Sequence, residues 1–147
     1  MSKERVYKAF IVGLQEALFE THGEMALALN RIAGRAMMKY IKDEELLEIT
    51  GDTANSLAHD VKKTIESLGD IGDVLAEEKK NTVELRIVEC PFSDVKRELL
   101  KRDKVPVVCP FASLVLKATE ETFGVRMRTA SIDIDEEECR FVMERLE

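Results

Sequence analysis

Nowhere in this chain do apolar residues run long enough to cross a membrane. The longest stretches, residues 25–29 and 105–112, fall far short of the roughly 18 that a spanning helix needs. A basic surplus is lacking too: 29 acidic residues outweigh 22 lysines and arginines, for a formal charge of -7 and a pI near 5.0. That balance argues against nucleic acid as a main partner, because phosphate binding asks for a basic surface. The acidic excess serves solubility. The opening Met-Ser-Lys-Glu-Arg holds no apolar signal core, so residence in the cytoplasm is the expectation. Cysteines number three, with no C-x-x-C pair among them. An odd number without a secretory context reads as thiols, ligands or redox groups, not as a disulfide scaffold. No G-x-G-x-x-G or P-loop supports nucleotide binding.

What is present fits one folded domain of 147 residues, 45% apolar and 35% charged, with a helical half over 1–69 and a sheet-containing half over 70–147. Over 3–20 the residues Val6, Phe10, Leu14, Ala17 and Leu18 recur at helical spacing. Thr21 and Glu24 have the spacing of a capping box and predict the start of a second helix running to about 41. That helix is rich in small residues, Ala26, Ala28, Ala33, Gly34 and Ala36, which permits close packing. A third helix is predicted from a cap at Asp52 or Thr53, through the stripe Ala54, Leu57, Ala58, Val61, Ile65 and Leu68, to a terminating Gly69. After Gly72 the period changes. Residues 74–78 and 82–89 flank a Lys-Lys-Asn turn, with Val83, Leu85 and Ile87 alternating against polar neighbours, as in a half-buried hairpin. Two short helices follow, and residues 125–147 predict a second hairpin turning through 135–137 with Cys139, Phe141 and Met143 on one face. The fold class is therefore α+β: amino-terminal helices packed on an antiparallel sheet of about four strands, with two further short helices.

The two short helices are each opened by Cys-Pro-Phe, at Cys90-Pro91-Phe92 and Cys109-Pro110-Phe111. Proline suits the first helical position, where its missing amide proton costs nothing. Each cysteine then stands near an N-cap, facing free amides and the positive end of the helix dipole, a setting that favours thiolate. Three uses of the cysteines stay open: small hydrophobes in the core, a metal or cluster site, and a catalytic or redox thiol. Spacing does not choose between them. A zinc site wants four ligands, so His22, His59 or Glu89 would have to join, or one position would stay open.

On these residues a resemblance rests. Glu89-Cys90-Pro91-Phe92, Cys109-Pro110-Phe111, Gly124-Val125 and Glu138-Cys139-Arg140-Phe141 resemble the carboxyl half of the vinyl-reductase-type hydrocarbon-binding domains. They are similar also to the aminothiazoline-carboxylate hydrolase-like proteins and to the methanogen output domains of archaeal signalling. The match covers roughly residues 70–147, with a looser one around Ala33-Gly34-Arg35. The resemblance implies a mixed fold that binds small molecules, with Cys90, Cys109 and Cys139 as metal ligands for zinc or an iron-containing centre. The chain departs from the pattern in carrying Ala130-Ser131 and then Asp135-Glu136-Glu137-Glu138 before C-x-F, so one thiol ligand is absent.

Remaining features take plainer accounts. The acidic run at 133–138 lacks the glycine and terminal glutamate of a calcium loop and reads as a solvated turn. Arg126, Arg128 and Arg140 suit cross-strand pairing, or, with Arg128 foremost, an anion-binding face. Phe92, Phe111, Phe141 and Met127 serve the core or, if a pocket exists, make it apolar. The expectation is a sensory domain that binds a small, partly apolar molecule or a metal at the cysteine-bearing end of the sheet. Its small-residue amino-terminal helices offer a homodimer interface, and no nucleic-acid or membrane partner is expected. A hydrolase using Cys90 or Cys109 as nucleophile is the alternative, short of a base. A ligand-free interaction module is the third reading.

Overall fold

The computed structural model describes residues 2–46, 48–66, 72–90 and 92–146. Helix α1 (Lys3–His22) starts at Ser2, whose hydroxyl accepts the Arg5 amide at 3.3 Å. It ends at Gly23, which takes φ 55°, a conformation open to glycine at little cost. A 3-10 segment (Gly23–Ala28) leads into α2 (Leu29–Asp43). The capping box expected at Thr21 is thus not used. The Thr21 hydroxyl donates to Ala17 O at 2.6 Å inside α1, because glycine two residues later is the cheaper place to break the helix.

Helix α3 (Ala54–Ile65) is capped by Thr53 and Ser56, each side chain answering the other's backbone amide. Leu68 and Gly69, expected to finish this helix, lie outside the described residues. Asp60, on α3 and buried, holds the preceding loop by accepting the Thr50 and Gly51 amides at 3.0 and 2.8 Å.

Strands β1 (Val74–Glu78) and β2 (Thr82–Val88) make the first hairpin, and β3 (Arg126–Ile134) and β4 (Glu138–Leu146) the second. Between the hairpins run α4 (Ser93–Leu100) and α5 (Pro110–Phe123). The sheet is antiparallel throughout in the order β1-β2-β4-β3. Its inner face presents Val83, Leu85 and Ile87 from β2 and Cys139, Phe141 and Met143 from β4, all buried. The α+β class and the four strands agree with the pattern of alternation in the sequence.

Helix α5 is the centre of the main core. Phe111, Ala112, Leu114, Val115 and Leu116 are at most 1% exposed, because α3 and the sheet cover one side and α2 the other. The α2–α5 contact is close enough that a Cβ on Gly34 would lie 2.2 Å from Ser113 O. Only a bare Cα fits there. Buried Glu120 closes the same face, pairing with Arg31 of α2 at 3.1 Å. By contrast, α1 buries only Val12 and Gln15 of its twenty residues. Val12 packs with Val95 and Leu99 of α4 in a small cluster separate from the main core.

Candidate functional site

The sheet register gathers two of the cysteines. Val88, the last residue of β2, pairs with Glu138, the first of β4, so the chain leaving β2 at Cys90 starts beside Cys139. Cys139 itself is buried on the inner face, opposite Ile87 on one side and Ile134 on the other. Cys109 arrives from the other direction, as the N-cap of α5 with Pro110 in the first turn. Cys90 does not cap α4. That helix begins at Ser93, whose amide and hydroxyl both bond to Cys90 O, at 3.0 and 2.5 Å, so a turn precedes the helix. Pro91 lies outside the described residues.

All three cysteines line one cavity of about 450 Å³ between the main core and the α1–α4 cluster. This volume falls within the roughly 300–1,000 Å³ usual for small-molecule sites. Ile11, Leu14 and Leu18 of α1 form one wall. Leu29, Ile32, Ala33 and Met37 of α2 form the second. Phe92, Val95, Ile134 and Phe141 complete the third. The surface is almost wholly apolar, and among the described residues no histidine, aspartate or glutamate contributes to it.

Of the other residues expected at a site, Phe92 and Phe141 join the cysteines in this wall. Phe111 faces the main core and is fully buried. Met127 is buried near the far end of β3, in register with Arg145, away from Cys139. Arg128 is exposed and pairs across strands with Glu144. Arg140 likewise pairs with Glu84 and Glu138. Asp135 accepts the Glu137 and Glu138 amides at 2.8 Å each, which makes the acidic run a turn. His59 is exposed, and His22 meets only its neighbour Thr21 among the described residues.

Burial decides the state of the thiols. Desolvation pushes Cys109 far above the ordinary thiol value, and charge on Cys90 would push it further; the amides of Ala112 and Phe111 oppose this and lose. Cys139 is pushed up to about 11 by desolvation, against the pull of the Lys96 ammonium. Cys90 also rises through burial, although the Phe92 amide, 3.5 Å from its sulfur, pulls the other way. The thiolates expected from the helix starts are therefore neutral thiols near pH 7. At Cys109 the dry cavity outweighs the helix dipole. At Cys90, too, burial outweighs the Phe92 amide that faces its sulfur.

A bound metal deprotonates the thiols that hold it, so the donor set, not the raised thiol values, decides whether these cysteines form a metal cage. No group of three or more His, Cys, Asp or Glu side chains among the described residues is placed to hold a metal ion. A tetrahedral four-sulfur site needs one cysteine more than the chain's three. The residues on this wall do not fit a closed zinc or iron–sulfur centre.

Two polar side chains that sequence reasoning passed over fix the cavity's back wall. Gln15 accepts the Val107 and Val108 amides at 2.9 and 3.1 Å and donates to Val108 O at 2.5 Å. Asn30 donates to Val107 O at 2.8 Å and accepts from the Cys109 amide and the Ser113 hydroxyl at 3.1 and 3.0 Å. The segment before α5, which carries Cys109, is thereby tied to α1 and α2. A signal existed: Asn30, Gly34 and Met38 stand four residues apart on one buried helical line. Lys96 is the third residue missed, buried between Val95 and Leu99 on α4.

One family model matches nearly the whole chain. The family described as "Putative rubredoxin C-terminal domain" matches residues 7–146. No curated protein matches. Among solved structures, one described as "Probing the function of heme distortion in the H-NOX family" is similar at 11% identity and a TM-score of 0.44, covering 100% of this chain and 73% of that one. Among the described residues, no helix is long and apolar enough to cross a membrane.

Proposed function

The chain belongs to the putative rubredoxin C-terminal domain family, and from that premise we propose that it is a sensory domain binding a small, largely apolar molecule in the cavity walled by Cys90, Cys109 and Cys139. One observation carries this reading: a cavity of small-molecule size with an apolar wall, in which even the thiols are held uncharged. Such a void leaves its lining without contacts on one side, and an apolar occupant restores them.

The cavity's place suggests how occupancy would be read. It separates the main core from the pair α1–α4, which cohere through Val12, Val95 and Leu99. A ligand touching both sides binds tightly only when the pair is docked. It therefore shifts the population toward the docked arrangement by its difference in affinity for the two. The direct test is titration with the neutral dye N-phenyl-1-naphthylamine. Saturable one-to-one fluorescence enhancement is expected; enhancement that never saturates overturns the reading.

The convergence of three sulfurs, with the word rubredoxin in the family's name, supports a second reading in which the cavity holds zinc or an iron-containing centre. The short donor set ranks it behind the first. Metal analysis of protein purified without oxygen separates the two, since stoichiometric zinc or iron lost on Cys109→Ser would establish the second.

A homodimer is proposed as well, with a second copy of α1 as the occupant of its outer face. On that face Lys3, Tyr7, Phe10 and Ala17 follow a 4-3-7 spacing, which fits the heptad seam of a two-helix coil, complementary to itself. Val6, Tyr7 and Phe10 are 50, 56 and 63% exposed, too large an apolar stripe to leave in water. Light scattering should give twice the monomer mass, and Phe10→Glu should halve it. A monomer at high concentration in the unaltered protein removes the proposal.

A further inference from the structure

Three polar side chains reach the wall of the cavity, and they differ in what they have left to offer. Gln15 spends its amide on Val107 and Val108. Ser93 donates its hydroxyl to Cys90 O. Lys96 is 4% exposed, and its ammonium donates to Glu136 O at 3.2 Å and lies against the Cys139 thiol. An ammonium has three protons to donate. Among the described residues no carboxylate stands within ion-pair distance of it. Asp135 lies near enough to feel its charge but turns its carboxylate to the amides of Glu137 and Glu138.

A buried cation with an unused donor beside an apolar cavity is costly unless something answers its charge. The protein carries 29 acidic residues and sets none of them there among those described. On the strength of these contacts, and resting on the ligand-binding reading of the cavity, we infer that the ligand is an amphiphile with a carboxylate head: its apolar chain fills the space between α1 and α2 and its head pairs with Lys96. One monovalent ammonium matches one monovalent anion. A dianionic phosphate would bring a second charge that the surrounding apolar wall has no group to meet. The neutral thiols suit the same assignment, since thiolates around Lys96 would have taken the place of the ligand's anion.

The test uses chain-matched competitors, decanoate, 1-decanol and decyl phosphate, displacing N-phenyl-1-naphthylamine at pH 7 from the whole protein and from Lys96→Met. Lys96→Met keeps the length of the stem and removes the charge. Decanoate should displace the dye at concentrations at least about tenfold below decanol, the scale of one charge-assisted hydrogen bond. In Lys96→Met that advantage should vanish while decanol displaces as before. Equal displacement by decanoate and decanol from the unaltered protein overturns the carboxylate and leaves the apolar cavity standing. Decyl phosphate displacing better than decanoate overturns it too. Failure of the dye to bind saturably removes the cavity reading and this inference together. The comparison within the unaltered protein decides the matter even if Lys96→Met does not fold.

Discussion

The backbone amide of Cys109 donates to the side-chain carbonyl of Asn30 at 3.1 Å, joining residues 79 apart in the chain. That single acceptor also takes the Ser113 hydroxyl, while the same side chain's amide group serves Leu27 O and Val107 O at 3.1 and 2.8 Å. A helix N-terminus needs acceptors for its free amides, and at α5 the cysteine side chain, a weak sulfur acceptor, makes no full capping hydrogen bond. Asn30 supplies one from another helix.

Asn30→Ala should therefore be far more harmful than a surface change. It would strand the Cys109 amide, the Ser113 hydroxyl and the Val107 carbonyl in the interior. Each orphaned group costs about 1–3 kcal/mol, tempered by relaxation, so a loss of about 3 kcal/mol is expected. Urea unfolding measures it, as a lower midpoint at unchanged slope. A loss below about 1 kcal/mol would show that water replaces Asn30 and that the clamp is not structural.

Two glycines make a matched pair of predictions. Gly34→Ala would push a methyl to within 2.2 Å of Ser113 O, a backbone atom that cannot swing aside, so α2 and α5 must separate. Overpacking of this kind costs about 1–3 kcal/mol or more. Gly13, inside α1, has nothing within 4 Å of the position its Cβ would take. Gly13→Ala should stabilise the protein by up to about 1 kcal/mol through helix propensity alone. Thermal melts of both variants should move in opposite directions.

How much of this was legible beforehand follows from what each feature depends on. Val83, Leu85 and Ile87 alternate with polar residues, and Phe141 and Met143 do the same on β4, so both hairpins and the buried face could be read locally. Pro110 and Gly124 marked the start and end of α5 for similar reasons of backbone geometry. The small residues of α2 foretold close packing, and Gly34 provides it. What could not be read was whatever depends on the sheet order and on desolvation. Cys90 and Cys109 share a motif, yet one caps a helix and the other precedes a turn. Their expected thiolates failed because helix position is written in the sequence and dryness is not. Phe92 and Phe111 also occupy equivalent motif positions, but only Phe92 reaches the cavity. Lys96 looked like any lysine on a short helix; its burial comes from packing against the turn at Glu136, forty residues away.

The thiols predict an alkaline limit to stability. Cys139 is raised to about 11 in the folded chain, and Cys109 is raised further, from an ordinary value of 9.0. A group whose folded value is raised binds its proton more tightly when folded. Its contribution is complete below the ordinary thiol value and is lost as pH climbs from about 9 through 11. Melting temperatures should hold between pH 7 and 8.5 and fall above pH 9, less steeply in Cys109→Ala. Iodoacetamide at pH 8 should modify all three thiols more slowly than in the urea-unfolded chain, with half-buried Cys90 reacting first. Alkylation of Cys109 at the unfolded rate would mean that a thiolate forms after all.

The wall residue Ala33 allows the cavity to be filled from inside. It lines the void on α2 and stands one residue before Gly34, so its neighbour fixes the distance to α5 while its own methyl faces open space. Ala33→Leu adds three carbons there. Each methylene removed from water contributes about 0.8 kcal/mol at best, and imperfect fit reduces the sum, so a gain of about 1 kcal/mol is expected. The same carbons occupy the ligand's place, and dye affinity should fall at least about tenfold. Stability and binding would then change in opposite senses from one substitution, a combination that a mere packing defect does not produce. If Ala33→Leu left dye affinity unchanged, the dye would be binding elsewhere and the cavity would lose its claim to the function.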